Sequence, residues 1–178
     1  LLVLLSSFIT KAQIVDDSLL IEGHYRTFHF LKSTQTNASL VFVLHGSGGN
    51  GTQMRGRAKT LEAIAPTENI LLVYPDGYKK YWNECRKTAN SAANLENINE
   101  NAFFESMIGY FKERYQINEK QIFAVGTSGG GHMAYKLALT MPKTMINERM
   151  AVLAARSNSF SAICGKMVRS NPTIPPTK

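Results

Sequence analysis

The sequence predicts an α/β fold, a mostly parallel sheet with helices on both faces. Three observations carry that expectation. The runs SLVFVLH at 39–45, ILLVY at 70–74 and QIFAV at 121–125 are continuously apolar, as strands covered on both faces are. Between them lie segments with apolar residues at helical spacing. Two of the runs lead straight into glycine-rich loops, so strands alternate with helices over short connections.

The elements follow in order. Residues 18–21, the pair Glu22-Gly23 and then HYRTFHFL read as two short strands joined by a tight turn. After the first buried run, GSGGNGT is too rich in glycine for either regular element. A helix is expected over 55–65, stopping before Pro66. The second buried run ends on the turn signal Pro75-Asp76-Gly77. A polar loop carrying Trp82 and Cys85 then leads to a helix over 98–115, where Phe103, Phe104, Met107, Ile108, Phe111 and Tyr115 recur at helical spacing. The third buried run is followed by GTSGGG and a helix from about His132 to Met141, ended by Pro142. Beyond Pro142 the pattern fades: 150–155 has the look of one more strand, and the remainder has no period.

At 178 residues and 44% hydrophobic content, the chain is expected to form one domain with an ample core. Those figures exclude a disordered tail, a collagen-like repeat and a disulfide-rich miniprotein. No apolar run is long enough to span a bilayer. The net charge of +7 is unevenly spread. Residues 13–142 hold 13 basic and 12 acidic residues, whereas 143–178 hold six basic residues and only Glu148. The folded part is therefore close to neutral, and no nucleic-acid partner is expected. Neither cysteine stands in a CxxC or Cys/His context, so no metal and no cofactor are expected.

The opening LLVLLSSFITKAQ reads as the apolar core and cleavage site of a secretory leader over 1–12, without an initiator Met or a basic start. A buried N-terminal strand is the other reading. Export, extracellular or periplasmic, would place Cys85 and Cys164 in an oxidising environment, where they either pair or stand as two lone thiols. The expected organisation is a partial leader over 1–12, the domain over 13–142 and an atypical tail over 143–178.

The sharpest chemical signal is Gly126-Thr127-Ser128-Gly129-Gly130, a G-x-S-x-G sequence between a strand and a helix. A nucleophilic serine must stand on a sharp turn, so its flanks need minimal side chains. The helix that follows points its N-terminal N–H groups at a developing oxyanion. A plain glycine-rich helix start is the alternative. The second signal is His45-Gly46-Ser47-Gly48-Gly49 at the end of an earlier buried strand.

HGSGG after one strand, YPDG after the next, Trp82-Asn83 in the following loop and GTSGGGHMAYKLAL resemble the secreted α/β-hydrolases grouped as polyhydroxybutyrate depolymerase-like and feruloyl-esterase-like proteins. GHYRTFHFL resembles that family's early strand. The resemblance covers about residues 18–142 and implies a secreted serine esterase acting on polyester or on acyl groups attached to polysaccharide. It makes Ser128 the nucleophile, with the backbone N–H groups of Ser47 and Gly129 as oxyanion donors. It also sets Trp82 beside the substrate cleft; the other reading of Trp82 is an aromatic buried under a long loop. His45 precedes the nucleophile and is expected to order its loop rather than act as base.

Such a hydrolase supplies its acid and its histidine after the serine. Here the last aspartate is Asp76, the only acid downstream of Ser128 is Glu148, and the only downstream histidine is His132. Four residues into the following helix, His132 reads as a packing residue. The expectation is a hydrolase lacking its C-terminal strands, through a frame error or premature end near Pro142, with a lineage-specific tail as the competing account. Without acid and base the chain is expected to be nearly inactive. The alternatives are a non-catalytic, hydrolase-derived binding protein and a subtilisin-like protease. The latter order, Asp16 or Asp17, then His45, then serine, is weakened because His45 ends a strand instead of starting a helix. A chymotrypsin-like reading fails on the helix after Ser128, since that fold is all-β.

Overall fold

The computed structural model describes residues 13–33, 35–86 and 88–141. The leader expected over 1–12 and the tail expected over 143–178, Cys164 and Glu148 included, lie outside them.

Two strands open the fold, β1 (Ile14–Ile21) and β2 (His24–Leu31), paired antiparallel. Glu22 and Gly23 both take positive φ, 47° and 85°, as the two central residues of a tight hairpin turn must when its twist matches the strands. β1 begins four residues earlier than the sequence pattern indicates. Asp16 and Asp17 are poor strand formers, yet each carboxylate finds a partner across the sheet or from a helix: Asp16 Oδ1 lies 2.7 Å from His29 Nδ1, and Asp17 Oδ2 accepts from the Tyr110 hydroxyl at 2.6 Å.

The three apolar runs form β3 (Ser39–Leu44), β4 (Ile70–Pro75) and β5 (Ile122–Gly126). They pair in parallel, and the sheet order is β1-β2-β4-β3-β5. β2 joins β4 antiparallel, so the described sheet is mixed, with the parallel part around β3.

Helices cover both faces. On one side α4 (Glu100–Tyr115) and α5 (Gly129–Thr140) pack Phe103, Phe104, Met107, Phe111, Met133 and Leu137 against Phe28, Phe30, Leu40, Phe42, Leu71 and Val73. On the other, α1 (Gly51–Arg57) sets Met54 against Val43, Leu72 and Tyr74. The single helix expected over 55–65 is two pieces. α1 starts at Gly51, where the Asn50 side chain accepts from Gln53 N at 2.8 Å, and α2 (Lys59–Ile64) begins after Ala58 leaves helical geometry at φ −97°, ψ 23°. A four-residue helix, α3 (Ala92–Leu95), interrupts the polar loop. Among the described residues no helix is long and apolar enough to cross a membrane.

Arg26 and Glu100 form an ion pair at 2.8 Å with side chains 2% and 0% exposed. Glu100 also accepts from Asn83 N at 3.0 Å, and the Arg26 guanidinium lies 4.3 Å from the centre of the Phe103 ring. This pair ties β2 to the start of α4 and to the loop that carries Trp82.

Candidate active site

β5 ends at Gly126 and α5 begins at Gly129, leaving Thr127 and Ser128 to make the turn. Ser128 sits at φ 51°, ψ −121°, a region L-residues occupy only when the surroundings force them. Its side chain is exposed. The forcing contacts are visible at the glycines. A Cβ on Gly126 would lie 2.4 Å from the Gly130 carbonyl carbon, and one on Gly130 would lie 2.4 Å from the Leu44 carbonyl oxygen. Strand β5, helix α5 and the end of β3 thus meet backbone to backbone, and the turn between them has no room to relax. The helix starts at Gly129, three residues before the sequence pattern starts it, because glycines mask helical periodicity.

The loop after β3 lies against this turn. A Cβ on Gly129 would be 2.5 Å from Ser47 Oγ and 3.2 Å from Ser47 N. Among the described residues, neither the Ser47 N–H nor the Gly129 N–H meets an acceptor. Two neighbouring N–H groups without acceptors therefore flank an exposed serine, which is the arrangement that can receive a developing negative charge.

His45 shapes that loop. Its ring is buried, Nδ1 lies 2.7 Å from the Gly46 carbonyl oxygen, and Nε2 accepts from Gly77 N at 2.9 Å. Burial lowers its pKa, and because Nε2 accepts from Gly77 N, the ring proton sits on Nδ1, facing the Gly46 carbonyl. Both nitrogens are committed to backbone, consistent with a loop-ordering role. Trp82 is 2% exposed, donates from Nε1 to the His45 carbonyl oxygen at 2.9 Å, and packs on the His45 and Phe104 rings. Its indole lies beneath the loop, as the buried-aromatic reading has it. The exposed aromatic there is its neighbour Tyr81, whose hydroxyl would be 3.8 Å from a Cβ on Gly48.

The turn Pro75-Asp76-Gly77 holds the same loop at both ends. Gly77 N meets His45, and Asp76 Oδ1 accepts from Gly51 N at 2.6 Å, where α1 begins. Asp76 Oδ2 accepts from the Thr27 hydroxyl at 2.6 Å and lies 3.3 Å from His29 Nε2. The sequence marks this segment as a turn and as one of the resembling motifs, but carries no local sign of the clamp. Burial works against the Asp76 charge, but the bonds from His29, Thr27 and Gly51 outweigh it and hold the pKa at about 2. The bond to Asp76, seconded by Asp16, raises His29 to about 9.

A pH dependence follows. His29 has a raised folded pKa, so its contribution is full below about 6.5 and is lost as pH rises through about 9. Asp76 has a lowered one, so its contribution is present above about 4 and is lost as pH falls through about 2. The difference in melting temperature between wild type and His29→Asn should be largest near pH 5–6 and shrink steadily towards pH 9. A difference that is flat across that range would show that the imidazolium does not stabilise the clamp.

Of the remaining sequence candidates, His132 lies one turn into α5 with its N–H on the Ser128 carbonyl at 3.1 Å. Burial lowers its pKa, and it senses the charges of Glu84 and Arg86. No described hydrogen bond joins the Ser128 hydroxyl to a histidine or a carboxylate. Asp16 lies on the exposed side of β1 and meets His29, not His45, so no protease-like triad forms from those residues. Cys85 is buried, and its expected pairing with Cys164 lies outside the described residues. No group of three metal-ligating side chains occurs among the described residues.

No family model matches the chain, and no curated protein matches it. Solved structures do. An S-formylglutathione hydrolase (FrmB) from Staphylococcus aureus superposes with a TM-score of 0.56 at 15% identity, over 76% of this chain and 55% of that one. A ferulic acid esterase gives 0.60 at 14% identity, over 76% and 58%. An acetyl xylan esterase from Aspergillus awamori gives 0.56 at 17% identity, over 74% and 49%. The chain has the α/β-hydrolase fold. It spans a little over half the length of the first two of these proteins. In a hydrolase fold, the turn after β5 and the loop after β3 are the two segments that carry a nucleophile and its oxyanion donors.

Proposed function

We propose that this chain carries the nucleophile and the oxyanion donors of a secreted serine ester hydrolase. The observation that carries the reading is Ser128, held at positive φ and exposed, next to two N–H groups that meet no acceptor among the described residues. Ser128 Oγ attacks the ester carbonyl, the carbonyl oxygen becomes an oxyanion held by Ser47 N–H and Gly129 N–H, and expulsion of the alcohol leaves an acyl-enzyme. No described histidine or carboxylate bonds to Ser128, so in this chain its hydroxyl proton passes to a base from solution and is returned to the departing alcohol. The resemblance of the HGSGG and GTSGGG segments to polyester- and feruloyl-cleaving hydrolases points to polyester or to acyl groups on polysaccharide as substrate. A disulfide between Cys85 and Cys164 would suit export into an oxidising compartment.

A second reading, a hydrolase-derived binding protein, is favoured by one observation: no described histidine or carboxylate bonds to Ser128. One experiment separates the two. A fluorophosphonate probe should label this 178-residue chain slowly at Ser128, as located by peptide mass spectrometry, and Ser128→Ala should abolish the label. Hydrolysis of p-nitrophenyl acetate should likewise be weak, far below that of a complete triad, whose loss costs on the order of a millionfold. Added imidazole, a base from solution, should accelerate the part that depends on Ser128. A chain that takes no label with or without imidazole is not a serine hydrolase, and the binding-protein reading then stands.

A further inference from the structure

Beside the oxyanion loop the polar segment that follows Trp82 delivers a cation. Arg86 donates from Nη2 to Ser47 Oγ at 3.4 Å. It does not swing freely. Its Nε is paired with the Glu84 carboxylate, and Glu84 Oε2 also accepts from the Arg86 backbone N at 2.8 Å. The Glu84 side chain is 2% exposed, whereas that of Arg86 is 37% exposed, so a buried carboxylate fixes a guanidinium that still faces solvent.

Among the described residues, Glu84 and Glu100 are the carboxylates of this corner, and Arg26, Arg86 and Lys136 are its basic groups. Arg26 is spent on Glu100 in the core. Lys136, on α5, donates to the Asn83 carbonyl oxygen at 2.6 Å; burial lowers its pKa against the pull of Glu100 and Glu84. Burial lowers the pKa of His132, which α5 turns towards Glu84 and Arg86. Arg86, although paired with Glu84, keeps a solvent-facing guanidinium. It touches the side chain of the residue whose N–H is offered to the oxyanion.

We propose that Arg86 is an anion-recognition residue of this active site and that the preferred ester carries a carboxylate a few bonds from the carbonyl that is attacked. The inference rests on the serine-esterase reading for its catalytic consequence, but not for binding. A carboxylate on the acyl part would accept from the outward Nη groups while the ester carbonyl faces Ser47 N–H and Gly129 N–H. The guanidinium, already held by Glu84, loses little freedom in doing so.

Two measurements test this. The first compares kcat/KM for mono-p-nitrophenyl adipate, an anionic ester, with that for p-nitrophenyl hexanoate, its neutral counterpart with the same leaving group. The wild-type chain, with imidazole added, should prefer the adipate by about five- to tenfold, the order expected of one partly screened charge contact. The ratio should fall as salt is raised. It should approach one in Arg86→Gln and stay intermediate in Arg86→Lys. A wild-type ratio near one, or a preference that survives in Arg86→Gln, overturns the proposal. The second measurement needs no turnover: calorimetric binding of adipate monoamide to Ser128→Ala, with and without Arg86→Gln. Binding that is lost with the arginine supports the anion site even if no ester is hydrolysed, in which event only the esterase reading fails. Absence of binding with Arg86 in place overturns the anion site itself.

Discussion

Replacing Gly130 with alanine is expected to destabilise the protein by about 3 kcal/mol or more and to lower its melting temperature by roughly 10 °C. The added methyl would lie 2.4 Å from the Leu44 carbonyl oxygen and 2.6 Å from that of His45. Both are backbone atoms at the end of β3, and neither can rotate away as a flexible side chain would. The helix would have to move off the strand, carrying Ser128 with it and opening the gap between Gly129 and Ser47. Reactivity of Ser128 towards a fluorophosphonate should therefore fall further than loss of folded protein explains. Gly56→Ala supplies the contrast. That glycine lies in α1, exposed, with nothing within 4 Å of where the new methyl would stand, so alanine should stabilise by about 0.5–1 kcal/mol through helix propensity alone. If Gly130→Ala melts together with wild type, the close approach of α5 to β3 is not what holds the turn.

Removing one member of the Arg26–Glu100 pair should cost about 3–5 kcal/mol, as judged by denaturant unfolding. Both side chains are buried, so Arg26→Met leaves the Glu100 carboxylate with only the Asn83 N–H, far from compensating its lost hydration. The double replacement Arg26→Met/Glu100→Gln should be markedly less harmful than Arg26→Met alone. Glutamine still accepts from Asn83 N, no charge is left to desolvate, and methionine also removes the Arg26 Nη1 group, which is buried without an acceptor. A double variant no better than the single would mean that the arginine acts through packing on Phe103, not through charge.

Much of the fold is legible locally. The spacing of Phe103, Phe104, Met107, Ile108 and Phe111 predicts one face of a helix, and each of those residues is buried on α4. The three apolar runs become β3, β4 and β5, and Glu22-Gly23 becomes the hairpin turn. Where the expectation misses, the cause is a partner far away in sequence. β1 extends through Asp16 and Asp17 because His29 and Tyr110 satisfy their carboxylates. α1 begins at Gly51 because Asp76 accepts its first N–H. Neither effect leaves a mark on the local pattern.

The candidate site divides in the same way. Gly126-Thr127-Ser128-Gly129-Gly130 between a strand and a helix is a local statement about a tight turn, and the sequence by itself determined that a serine stands there and that the fold is α/β. Only the tertiary structure decided that Ser47 and Gly129 offer adjacent N–H groups, that Trp82 lies under the loop instead of on it, and that Glu84 holds Arg86 against Ser47. The physical reason is range. Turn geometry and helical periodicity are properties of neighbours along the chain, whereas an oxyanion corner and its charges arise where β3, β5 and the loop after β4 converge, and which residues meet there depends on how the strands are ordered in the sheet.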